Sequence, residues 1–180
     1  MKTSHTKTES PIQELFFLLS PPRHIMSDVS VLKDDIQYLI GHEFEDRYSK
    51  AHVSLFKFEH DEKCINEMIS IVEDKAANFS PFNVFIKNLN VFYHGSARTI
   101  YMDIVNKYPI RDIVEKLVDQ ESPFSPNITL ARNLSAESFL KAWPYLKDFS
   151  YSQHFLCDRI TILARAEKQW IHYRDIVFGG

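Results

Sequence analysis

The chain has 180 residues, 44% of them hydrophobic and 13% aromatic, which is enough to bury a core of ordinary size, and only 4 Gly and 8 Pro, which excludes a low-complexity or disordered chain. Its formal net charge of −3 gives no global basic footprint, so long-duplex DNA bound through backbone charge is excluded as a partner, while a local basic groove is not. The 2 cysteines, Cys64 and Cys157, lie far apart at no metal-ligand spacing and read as reduced thiols of a cytoplasmic protein.

In chain order, residues 1–10 are polar and read as a flexible tail, leaving residues 11–180 as one domain. The run "ELFFLLS" is a strand stopped by Pro21 and Pro22. Its apolar part is too short to span a membrane, and it follows Glu14 rather than a basic flank, so neither a membrane partner nor a signal peptide is expected. "SDVSVLKDDIQYLIGH" places Val29, Leu32, Ile36, Leu39 and Ile40 at helical spacing, with Ser27 as N-cap and Gly41 as C-cap. "AHVSLFKF" is a strand, and "DEKCINEMISIVEDKAANF" is a helix with Ile65, Met68, Ile69 and Val72 on one face. "FNVFIKNLNVFY" and "RTIYMDIV" alternate as strands about the hairpin turn "HGSA".

A helix "IRDIVEKLVDQE" follows Pro109, then a strand in "FSPNITLARNL". Ser135 caps the helix in "SAESFLKAWPYLKDF", which Pro144 kinks or shortens. "SYSQHFLCDRITILARAE" is one long strand or two with a break, and "KQWIHYRDIVFGG" is the last strand.

The two halves repeat. His52-Val53-Ser54-Leu55-Phe56-Lys57 matches Asn127-Ile128-Thr129-Leu130-Ala131-Arg132 in apolar, hydroxyl, apolar and basic positions, at a period of about 75 residues, and each copy lies between two helices. The expected fold is α+β, with two pseudo-symmetric lobes of mainly antiparallel sheet, outer helices and a central cleft. Strand parity puts His52 with Ser54, and Asn127 with Thr129, on one side, with Val53, Leu55, Ile128 and Leu130 toward the helices. Facing pairs of this kind can grip a phosphodiester: hydroxyls bond the non-bridging oxygens, and an imidazole moves a proton.

"HVSLFKF" and "NITLAR", with the opening "FFLLSPP" and the order of elements, resemble the two-histidine phosphoesterases, which include the 2′-5′ RNA ligases and cyclic phosphodiesterases. That family carries two His-x-Ser/Thr-apolar motifs on facing strands. The resemblance implies that His52 is catalytic and that Ser54 and Thr129 bind phosphate. Asn127 departs from the motif. Its amide can hold a phosphate oxygen but cannot act as acid or base near neutral pH.

The resemblance implies action on 2′,3′-cyclic or 2′-5′ phosphodiesters of nucleotides or RNA ends, with neither metal nor organic cofactor. Two alternatives stay open: a non-catalytic nucleotide- or phosphate-binding protein on this fold, and a different one-histidine chemistry. The motif says nothing of oligomeric state.

Around this pair, Phe56 and Phe58 share the His52 parity and are candidates to stack on a base, against core packing as the plainer reading. Lys57 and Arg132 face away unless a bulge changes parity. Arg23 follows the first strand where a loop can approach the cleft. His94 in the hairpin turn and His154 in a later strand are weaker substitutes for the missing imidazole. His5, His24, His42, His60 and His172 read as surface residues, and the "HDE" at 60–62 as a helix N-terminus rather than a metal site.

Overall fold

The computed structural model describes residues 13–118 and 125–180. The expected tail, residues 1–10, and the end of the helix expected after Pro109 lie outside the described residues. Twelve elements follow one another: β1 (Gln13–Leu19), α1 (Arg23–Ile40), β2 (Val53–His60), α2 (Glu62–Ala76), β3 (Phe82–His94), β4 (Ala97–Ile104), α3 (Tyr108–Val118), β5 (Asn127–Leu134), α4 (Ala136–Leu146), β6 (Ser152–Cys157), β7 (Arg159–Ala166) and β8 (Gln169–Val177). The long segment near the end is thus two strands, broken at Asp158.

The eight strands form one curled antiparallel sheet in the order β6-β3-β4-β5-β2-β1-β7-β8. The α+β reading holds, and the repeat is visible in space. β1-α1-β2-α2 and β4-α3-β5-α4 occupy matching places about the central β2/β5 junction, with β7 and β8 completing one half and β3 and β6 the other. The helices cross over: α1 follows β1 but packs on β5 and α4, while α3 follows β4 but packs on β2 and α2. This exchange ties the halves together beneath a junction that has one β-bridge, Val53 to Ile128.

One face of the sheet meets the helices. Leu15, Phe17, Leu19, Val53, Leu55, Ile100, Met102, Ile128 and Leu130 join Ile25, Val29, Ile36 and Val72 in a single apolar cluster, all of them buried. Burial of this surface is the main stabilising term of the fold. The other face carries no helix and presents the polar pairs.

Local chemistry sets the helix ends, with one correction. Ser27 is not the N-cap of α1; the helix opens five residues earlier, with Pro22 at the cap position and its carbonyl accepting from Met26 N–H at 3.1 Å. Proline's fixed φ, −67° here, already suits helix entry. Gly41 closes α1 at φ 82°, the left-handed region that a side chain makes costly. Asp61 caps α2 by accepting from Cys64 N–H at 2.9 Å, and Ser135 caps α4 by accepting from Ser138 N–H at 3.1 Å. Pro144 lies in the last turn of α4, which ends at Leu146.

Cys64 and Cys157 are unpaired, and burial pushes the Cys157 thiol up to about 12. Among the described residues no helix is long and apolar enough to cross a membrane.

Candidate functional site

The β2/β5 junction brings the two motif copies together. The antiparallel bridge Val53–Ile128 sets a register in which His52 stands beside Thr129 and Ser54 beside Asn127 on the open face. Val53 and Ile128 are fully buried below, and the four polar residues are half-buried above. The pairs therefore lie side by side on neighbouring strands at the centre of the curled sheet.

His52 is held by its Nδ1, which lies 2.8 Å from the Lys50 carbonyl. A carbonyl only accepts, so Nδ1 carries the proton and Nε2 is the free nitrogen of the neutral ring. Phe16 meets the imidazole edge-on at 5.2 Å between centroids. The imidazole pKa is lowered, chiefly by burial. The Lys33 and Arg132 charges push the same way, while the Lys50 carbonyl and Asp46 oppose them. At neutral pH the ring is an unprotonated base.

Asn127 is held on both sides. Its Nδ2 donates to the Ser125 carbonyl at 2.9 Å, and its Oδ1 accepts from the Thr129 hydroxyl at 3.0 Å. On the next strand Asp103 stands opposite Asn127, and Tyr101 opposite Thr129. Tyr101 is 4% exposed and stacks on Phe92 at 4.0 Å. Its phenol pKa is raised by burial and by the Asp103 charge, so it stays protonated. Asp103 Oδ1 in turn lies 2.7 Å from Lys107 Nζ.

Two bulges correct the parity expected along these strands. In β2 the pairing jumps from Ser54–Leu18 to Phe56–Phe17, leaving Leu55 as the extra residue. Phe56 then stacks on the buried Phe17 at 4.4 Å, and Phe58 stands opposite the buried Leu15. Both pack against the core on the helix side, so neither is placed to stack on a base beside His52. The same jump turns Lys57 to the open face, opposite Phe16. In β5 the pairing moves from Thr129–Tyr101 to Ala131–Ile100, so Arg132 turns to the open face as well. Arg132 Nε lies 3.1 Å from Asp46 Oδ2.

The weaker candidates lie elsewhere. His94 is exposed at the end of β3, and His154 is exposed on the edge strand β6 opposite Phe85. Arg23 is the exposed first residue of α1. His60, Asp61 and Cys64 bring possible metal-ligand atoms within 4.8 Å of one another at the start of α2. Asp61 is committed there as the cap, and the positive end of the helix opposes a cation. Sequence reasoning did not single out Phe16, Leu18, Tyr101, Asp103 or Trp170, all of which flank the junction or extend from it on the open face. The alternation of β1 is hidden because both of its faces are apolar.

The comparisons agree with this fold. The model of the 2′-5′ RNA ligase superfamily matches residues 21–169. A curated protein of Oceanobacillus iheyensis, named "Putative phosphoesterase OB1230", is 26% identical over 146 residues, covering 76% of this chain and 85% of its own. Among solved structures, TT0787 of Thermus thermophilus superposes with a TM-score of 0.69 at 17% identity, covering 93% of this chain and 98% of that one. The E. coli LigT structure complexed with 3′-AMP superposes with a TM-score of 0.62 at 12% identity, covering 94% and 100%.

Proposed function

The chain belongs to the 2′-5′ RNA ligase superfamily, and on that premise we propose that it acts on 2′,3′-cyclic or 2′-5′ phosphodiesters at nucleotide or RNA ends, with one histidine in place of the family's two. The observation that carries this reading is the Val53–Ile128 bridge, which sets His52, Ser54, Asn127 and Thr129 side by side on one open face. The complex of E. coli LigT with 3′-AMP supports a nucleotide as the ligand.

In the proposed reaction the phosphate sits over the junction. Ser54 and Thr129 hydroxyls and the second Asn127 N–H donate to its non-bridging oxygens. His52 Nε2 takes a proton from a water whose oxygen attacks phosphorus. The P–O bond to the ribose 2′ or 3′ oxygen breaks, and that oxygen takes its proton from solvent, because Asn127 has none to give. No metal or organic cofactor takes part in this scheme. Two unpaired thiols, Cys64 and Cys157, suit the reducing cytoplasm as its setting.

A second reading, phosphate or nucleotide binding without turnover, is favoured by one observation. Both functional ends of the Asn127 amide are already engaged by Ser125 and Thr129. The deciding experiment is hydrolysis of an oligonucleotide ending in a 2′,3′-cyclic phosphate by wild type, His52→Ala and Asn127→His. Turnover by wild type, lost in His52→Ala, supports the enzyme. Nucleotide binding with no turnover in any of the three supports the binding protein.

A further inference from the structure

The open face of the first half carries a feature that the second half lacks. From His52 the aromatic contacts run outward: Phe16 is 5.2 Å from the imidazole and 5.4 Å from Trp170, a half-buried ring on β8. Two cations lie on these rings. Lys57 Nζ is 5.4 Å from the Phe16 centroid and 5.0 Å from Trp170, and the Arg165 guanidinium carbon is 5.2 Å from Trp170. Both cations are exposed. The carboxylate nearest Lys57 is Glu14, at a loose 3.7 Å. Beyond Trp170, the turn Ala166–Gln169 borders an open concavity.

The matching positions of the second half differ. There Thr99 stands where the first half has Phe16, and it accepts from Asn133 N–H at 3.4 Å. Arg132 stands where the first half has Lys57, and it is tied to Asp46. The aromatic pair of that half, Phe92 and Tyr101, has no cation over it among the described residues, and its Tyr101 is buried.

A partly exposed ring with cations beside it is how proteins take single-stranded nucleic acid, since every base has a face to stack and every link a phosphate to pair. The charge here is local, because the chain as a whole carries −3. We propose that Phe16, Lys57, Trp170 and Arg165 form a one-sided track for single-stranded RNA leading away from His52. Trp170 stacks on a base of the strand beyond the reacting diester, and Lys57 and Arg165 pair with its phosphates. The preferred substrate is then an oligonucleotide end rather than a mononucleotide. This inference rests on the reading of the junction as a phosphodiester site, but its test does not depend on turnover.

The chain has 2 tryptophans, so Trp143→Phe leaves Trp170 as the sole indole. In that background, a short single-stranded RNA with a 3′-phosphate is titrated while indole emission is followed, with inorganic phosphate and an oligoglutamate peptide as controls. The expected result is saturable quenching by the RNA and none by either control. Lys57→Ala and Arg165→Ala should each weaken binding about ten-fold and flatten the log–log salt dependence by about 0.7. Equal quenching by oligoglutamate overturns the base contact. RNA that binds no more tightly than phosphate, or that leaves Trp170 emission unchanged, overturns the track, even if a cyclic mononucleotide is hydrolysed. Quenching by RNA without any hydrolysis supports the track and counts against the enzyme.

Discussion

The Thr129 hydroxyl donates to Asn127 Oδ1 at 3.0 Å, so the two polar members of the second motif are bonded to each other. A hydroxyl pointed at its neighbour must turn away before it can donate to a phosphate oxygen. The amide that holds it cannot trade a proton. An imidazole at this position could still accept from Thr129 and could also protonate a leaving oxygen. Asn127→His is therefore expected to speed hydrolysis of a 2′,3′-cyclic phosphate by about 10²-fold or more. The pH–rate profile should change from a single limb to a bell as a second titrating group enters. Initial rates across pH measure both. An unchanged rate would mean that the second motif does not face the leaving group.

His52 predicts the shape of the wild-type limb. Burial, seconded by the Lys33 and Arg132 charges, lowers its pKa below the ordinary 6.5, so the free Nε2 is available at neutral pH. Activity should be flat near neutrality and fall as pH drops through the lowered value. The same shift has a stability sign. The unfolded chain binds more protons than the folded one between that value and 6.5, so this contribution is present above 6.5 and is lost as pH falls through the window. His52→Gln should abolish turnover and flatten the melting temperature against pH in that acid range. A variant as acid-sensitive as wild type would rule out His52 as the buried titrating group.

The strands and helices were legible because their periodicities are strong, and the junction was legible because the repeat copies its hydroxyl motif. What the sequence concealed has local causes. Leu55 and Phe56 are both apolar, so an extra residue at Leu55 leaves no trace in the pattern, yet it sends Phe56 and Phe58 into the core and Lys57 to the open face. Leu130 and Ala131 conceal the matching bulge in β5. β1 is buried on both faces, so Phe16 and Leu18 could not be told from Phe17 and Leu19. Trp170 is far from His52 in sequence and reaches the site side only through the order β2-β1-β7-β8. Ser27 drew the start of α1 because it is a good cap, whereas Pro22 opens the helix without a side-chain bond.

Ser54 and Thr129 are expected to contribute to binding rather than folding, since both are half-buried on the helix-free face. A hydrogen bond to a charged group is worth about 1.5–3 kcal/mol, so Ser54→Ala and Thr129→Val should each weaken inorganic phosphate or 3′-AMP binding about ten-fold or more. The Thr129 hydroxyl must give up its bond to Asn127 Oδ1 before it donates to phosphate, so the loss in Thr129→Val should be smaller than that in Ser54→Ala. Calorimetric titration of the two single variants and the double variant measures this. Two losses that add without coupling would mean that the hydroxyls do not share one phosphate.

Lys33 gives the last prediction, on the segment that leads into His52. The side chain is 1% exposed, and its ammonium donates to the Asp46 carbonyl at 2.6 Å, the Ser49 carbonyl at 2.9 Å and the Ser49 hydroxyl at 3.1 Å. It pins the chain just before Lys50, whose carbonyl orients the imidazole. Burial lowers its pKa to about 8; the Arg47 and Arg132 charges push the same way, and Asp46 opposes. Between about 8 and 10.5 the folded protein holds fewer protons than the unfolded chain, so this group makes stability rise with pH across that range. Lys33→Met keeps the volume and removes the charge, so it should remove that rise. It should also lower kcat, because the Ser49 carbonyl and hydroxyl lose their donor and the segment carrying Lys50 loosens. Denaturant melts from pH 7 to 10.5, compared between wild type and variant, isolate the lysine from other groups titrating there. Parallel curves would show that the Lys33 ammonium is hydrated in the folded protein. A lost slope with unchanged kcat would confine its role to the loop and leave His52 positioned by Phe16 and the sheet alone.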